Sequence, residues 1–193
     1  MSNNFLTTVY GTLVSPNTTF DKIVENDDIG VFEAFCAILM VTVIGSLVDY
    51  SGSSVFILPF YTISVVITAL IQWIFVAAVI DGVASIFAHK SKFDNLLATT
   101  GFAVLPWMLM GPVVLFKTFG LSGLGLIPFL IGIILALIIW IWSAILFLLA
   151  VAKTYNFSFG KAIVLSIMPF LAGLIAFSWL LGFINNLIVF AKP

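Results

Sequence analysis

The side chains of this chain that could do chemistry are few, and Asp81 is the most informative of them. It stands inside an apolar segment long enough to cross a bilayer, six residues before Phe87. An aspartate at mid-bilayer costs about 2.5–3.5 kcal/mol on insertion scales. Two readings follow. Asp81 is either an acid at the membrane interface or paired in the bundle with Lys92 or a polar neighbour, or it marks an ion or proton path, as intramembrane acids often do. Gln72 lies mid-span in the same segment and reads as helix–helix glue. At about 100° per residue it points away from Asp81, so the two do not make one site. Pro106 and Pro112 interrupt a later segment and Pro169 the last one. Each is a candidate kink that frees a backbone carbonyl needing a new partner in lipid. Kinked packing helices are commoner than the broken helices that line transport sites.

The remaining candidates are weaker. His89, the only histidine, falls in a loop beside Lys90, and no Ser/His/Asp set or ligand cluster can be built around it. No catalytic, cofactor-binding or metal-ligating residues are assigned. The one cysteine, Cys36, excludes an internal disulfide and a cysteine-based metal cage and reads as a small packing residue. The run Gly120-x-x-Gly123-x-Gly125 follows a membrane helix rather than a strand, so it is not a phosphate-binding loop.

The elements that hold these residues are membrane helices. Hydrophobic residues make up 63% of the chain, charged residues 8%, and the mean hydropathy is +1.29. Seven basic and eight acidic side chains could not cover the surface of a soluble fold of 193 residues, which typically is about 25% charged. In a bilayer the outer surface must be apolar anyway. A span needs about 20 apolar residues. Charges and turn residues then mark an all-α bundle of five transmembrane helices, with spans near 31–49, 58–87, 96–116, 125–152 and 162–190. The first is short between Glu33 and Asp49, and a four-span alternative lays it on the surface. It is apolar all round rather than one-sided, which favours spanning. Ala78 and Gly82, small and four apart, suit close helix packing.

Residues 1–30 form a separate head before a membrane domain of residues 31–193. Phe5, Leu6, Val9, Tyr10, Leu13 and Val14 recur at helical spacing, and Ser15-Pro16 ends that helix. Thr18-x-x-Asp21 resembles a capping box for a second short helix through Phe20, Ile23 and Val24. Two such amphipathic helices lie on the membrane surface or against the bundle. The head carries no secretory signal, so the first span is expected to act as the insertion signal. Lysines set the orientation. Five spans put Lys22, Lys90, Lys92, Lys153 and Lys161 on one side and Lys117 and Lys192 on the other. The positive-inside rule makes the amino terminus cytoplasmic and the carboxyl terminus opposite. With no arginine and no longer basic cluster than Lys90-Ser91-Lys92, no nucleic-acid partner is expected.

Three stretches together resemble the Yip1-domain family of multi-pass membrane proteins. They are Pro16-x-x-x-Phe20; the passage from His89 through Phe93 and Gly101-Phe102-Ala103 to Pro106; and Trp142 through Lys153-Thr-Tyr155 to Lys161-Ala162. The resemblance implies a five-helix membrane domain with a cytoplasmic amino terminus. Eukaryotic members are linked to vesicle traffic and small GTPases. This chain has no Asp-Leu-Tyr-Gly-Pro motif and looks more like short prokaryotic members, which implies a prokaryotic plasma membrane. The expected function is non-enzymatic, through lateral contacts with the lipid bilayer and other membrane proteins in membrane organisation or trafficking-like roles. A second copy of the chain is a candidate partner, and no cofactor is expected. The rival is a small transporter or channel using Asp81 and the proline-broken third helix.

Overall fold

The computed structural model describes residues 2–25, 30–49, 55–88, 90–119 and 125–190. The expected loops at His89 and at 51–54, and most of the glycine run at 120–125, lie outside the described residues. Every regular element among those described is helical. Two short helices come first, α1 (Ser2–Val14) and α2 (Pro16–Glu25). Then follow α3 (Val31–Asp49), a single 3-10 turn (Val55–Ile57), α4 (Leu58–Ala88) and α5 (Phe93–Phe102). A 3-10 stretch (Leu105–Leu109) joins α5 to α6 (Met110–Phe119), and α7 (Leu126–Tyr155) and α8 (Phe159–Phe190) complete the chain.

Four stretches among the described residues are long and apolar enough to cross a membrane: Val31–Val48, Leu58–Phe87, Phe93–Thr118 and Leu126–Tyr155. The helix α8 has 32 residues, of which Phe159–Ile175 is a described apolar run. The expected third span is not one kinked helix. It is α5 and α6 with the 3-10 stretch between them, because Pro106 falls within the first two positions of that stretch and has no N–H to continue an α-helix.

The helix α3 stands within the bundle, packed on α4 and α5. Its closest approach is made possible by a glycine. A Cβ placed on Gly101 of α5 would come 2.6 Å from the Ala34 Cβ and 3.0 Å from the Ala34 carbonyl oxygen. Glu33 is accommodated at the helix start, where its Oε2 accepts the Gly30 N–H at 3.0 Å in the manner of a capping box. Gly132 plays the same part where α7 meets α6, since a Cβ there would lie 2.8 Å from Lys117 Cγ.

The amino-terminal helices dock on the bundle rather than standing apart. Phe20 is 0% and Ile23 3% exposed, and they share one core cluster with Ala34, Ala37, Val41, Ala98, Phe102, Leu146 and Ala150. The Thr18-x-x-Asp21 capping box is not formed. The helix α2 begins earlier, at Pro16, whose fixed φ suits a first helical position. Thr18 and Thr19 donate back to the Ser15 carbonyl at 3.1 and 3.0 Å. Asp21 is held instead by Lys153 of α7 at 2.8 Å.

A second cluster gathers Ala77, Ile80 and Ala84 of α4, Leu96 of α5, Val151 and Tyr155 of α7, and Ala162 and Leu165 of α8. Alanines recur in both clusters, as expected where lipid supplies no hydrophobic drive and association depends on close packing. The outer surface is large and apolar, with Phe56 88% and Trp179 78% exposed.

Candidate functional site

Asp81 is buried, 8% exposed, near the end of α4. With about 1.5 Å per residue, α4 is about 46 Å long and Asp81 stands about 35 Å from its first residue. That exceeds a hydrocarbon core of about 30 Å, so the acid belongs to the end of the bundle where α1 and α2 dock.

Its carboxylate joins three helices. Oδ1 accepts the main-chain N–H of Lys92 at 2.9 Å and the phenol of Tyr155, while Oδ2 accepts the Ser91 hydroxyl at 2.5 Å. Lys92 is the residue just before α5, and no side chain of its own neighbourhood caps that helix. Asp81 therefore places an acid at the amino-terminal, positive end of α5. The Lys92 ammonium does the reverse. It donates to the Thr154 carbonyl at 2.8 Å, in the last turn of α7, where free carbonyls make the negative end of the helix. So Lys92 meets Asp81 through its backbone and α7 through its side chain, and of the pairings expected for Asp81 the one formed is with polar neighbours, not with the Lys92 ammonium.

The clasp continues inward through hydroxyls. Thr99 and Thr154 lie 3.0 Å apart, Thr154 also donates to the Ala150 carbonyl at 2.8 Å, and Trp73 donates its indole N–H to Thr100 at 3.0 Å. On the far side, Tyr155 stacks on Phe157 with ring centroids 5.6 Å apart, and the Lys161 ammonium sits 5.6 Å from the Phe157 centroid. The chain can turn there because Asn156 adopts φ 55°, the left-handed conformation that closes a helix end, with the Phe157 N–H on the Ala152 carbonyl at 2.9 Å.

The prolines do different things. At the break after α5, the Trp107 N–H turns to the Val104 carbonyl at 3.0 Å, so the Ala103 carbonyl loses its ordinary helical partner. Ser143 of α7 replaces it, donating to Ala103 O at 2.9 Å and accepting the Trp107 indole N–H at 3.0 Å. A groove of about 230 Å³ lies beside this contact, between Trp107, Trp140 and Phe147. Pro112 sits in the first turn of α6, where no helical hydrogen bond is lost. Pro169 is buried inside α8, whose helix runs on past it. Gln72 is exposed on the outer side of α4, away from Asp81. Cys36 is half-buried in α3.

Sequence reasoning missed Ser91, Tyr155, Thr154 and Ser143. All four sit in the stretches that carried the family resemblance, which was their one available signal; a serine in an apolar helix, as Ser143 is, does not announce which carbonyl it will meet. Among the described residues, no three His, Cys, Asp or Glu side chains converge as metal ligands do.

Long apolar helices, small-residue crossings and an acid consumed by interhelical bonds define a multi-pass helical membrane protein. Compared with known families, the chain matches the Yip1 domain over residues 10–180. It belongs to the Yip1-domain family. No curated protein and no solved structure matches it.

Proposed function

We propose that this protein is a non-enzymatic membrane organiser. It acts through lateral contacts with lipids and other membrane proteins, with its amino terminus in the cytoplasm of a prokaryotic cell. The observation that supports this reading is where the polar atoms go. The carboxylate of Asp81, the ammonium of Lys92 and the hydroxyls of Ser91, Tyr155, Thr99 and Thr154 are consumed by one another and by helix ends. They hold helices together, whereas a pathway needs side chains free to replace the water around a solute. The outward faces carry large apolar surfaces, which suit association in the membrane.

The rival reading, a small transporter or channel, draws on the break between α5 and α6. Freed carbonyls there could coordinate a cation, but the Ala103 carbonyl is taken by Ser143. Flux through liposomes containing purified protein decides between the two. No movement of ions or small solutes above background is expected. A cation current that disappears when Asp81 or Pro106 is replaced would promote the transporter.

A further inference from the structure

The outward side of α4 is not that of a helix meeting lipid alone. Tyr61, Ser64, Thr68 and Gln72 recur at spacings of three and four, and Phe75 and Gly82 continue the series. At about 100° per residue all six fall within an arc of about 80°. All six are exposed. The opposite side of the same helix buries Ala77, Ile80, Asp81 and Ala84. Gly82 is not explained by packing within the chain, because a Cβ built there meets nothing within 4 Å.

Gln72 says what should cover this side. It stands about 21 Å from one end of α4 and about 24 Å from the other, which puts it inside the hydrocarbon core. Its amide has no hydrogen-bond partner among the described residues, and hydrocarbon offers it no water. An amide both donates and accepts, so it is complementary to itself. In a two-fold dimer with its axis along the membrane normal, each residue meets its own copy at the same depth. A second copy of this chain is thus the partner bound to present an amide opposite Gln72. The spacing fits too, since Tyr61, Thr68, Phe75 and Gly82 recur every seven residues, the period of the shallow left-handed crossing of paired membrane helices.

We propose that two copies of this protein dimerise through parallel packing of their α4 helices, with the two Gln72 amides hydrogen-bonded at the centre and Ser64, Thr68 and Gly82 admitting close approach. This deepens the lateral-contact reading and rests on it, by naming one partner and one face. The test is oxidative cross-linking in native membranes. Single cysteines would replace Ser64, Thr68 or Phe75, and for comparison Ile134 or Ile138 on the exposed side of α7, all in a Cys36→Ser background.

A product of twice the chain mass is expected at the α4 positions and not at the α7 positions. Gln72→Leu should lower the cross-linked fraction about threefold or more, as expected for loss of an interhelical hydrogen bond, and Gln72→Asn should largely retain it. Gln72 faces outward, so the monomer should fold with either residue, and unchanged thermal stability in detergent checks this. Equal cross-linking on α7, a product of another mass, or a Gln72→Leu dimer undiminished would each overturn the proposal. A chain that stays monomeric and passes no solute would sink the dimer alone. Ion flux through a cross-linked dimer would uphold the dimer and sink the lateral-contact reading instead.

Discussion

At the residue scale, Asp81 shows how a membrane protein keeps a carboxylate without exposing it. Three donors from two other segments converge on it. Two of these, Ser91 and Tyr155, are hydroxyls that can rotate, while the Lys92 N–H is fixed in the backbone. An asparagine can still accept from that N–H and donate to a turned hydroxyl. Asp81→Asn therefore exchanges charge-assisted bonds for neutral ones, a loss of about 1–2 kcal/mol. Asp81→Leu strands the hydroxyl of the buried Tyr155, at about 1–3 kcal/mol for a group left unsatisfied, and removes the acid from the start of α5, while the exposed Ser91 hydroxyl turns to water. Thermal unfolding in detergent should rank wild type above Asn and Asn well above Leu. A leucine variant as stable as wild type would show that the clasp holds nothing together. That Asp81 is special was legible in the sequence, because an acid in an apolar run must be paired or interfacial. Its partners were not legible. Ser91 is 10 and Tyr155 74 positions away along the chain, and only the run of α7 back to the same end of the bundle, parallel to α4, brings the tyrosine near.

At the scale of elements, the sequence announced where helices stop more clearly than how they join. Charges and turn residues bound α3, α4, α7 and α8 because neither belongs in hydrocarbon. The docking of α2 was harder to foresee. Phe20 and Ile23 recur as any amphipathic face would, and nothing in their spacing distinguishes a protein core from a membrane surface. The break between α5 and α6 was foreseeable from Pro106 but its repair was not. Ser143 reaches across from α7 to a carbonyl that the 3-10 turn leaves open. Interhelical hydrogen bonds in membrane proteins average about 0.6 kcal/mol, since the unfolded state finds substitutes. A main-chain carbonyl without its helical partner has fewer substitutes, and the Trp107 indole shares the same hydroxyl. Ser143→Ala should therefore destabilise by about 1–2 kcal/mol, measured by the same unfolding assay. A change no larger than that of an alanine placed on the exposed side of α7 would mean that lipid or water caps Ala103 as well as Ser143 does.

At the scale of the whole molecule, the contacts of α2, of the α4–α5 junction and of the α7–α8 junction all meet at one end of the bundle. Lys153 reaches Asp21, and Lys92 reaches Thr154. The same end therefore collects Lys22, Lys90, Lys92, Lys153 and Lys161. Lys117, in the last turn of α6, belongs to the other end. Lysines near membrane helices are retained on the cytoplasmic side, and short connections such as 89–92 and 156–158 are where that bias acts most strongly. The expected orientation then follows with five crossings: Asn3 and Lys90 in the cytoplasm, Gly123 and Lys192 on the opposite side. Reporter fusions at these four positions measure it directly. The first crossing is the sensitive one, because α3 has only 19 residues and starts with Glu33 in its first turn. If α3 failed to cross, Asn3 and Lys90 would part company across the membrane. If α8 failed to cross, Lys192 would report from the same side as Asn3. Either result overturns the five-span arrangement, and the position that misreports identifies which helix fails to span.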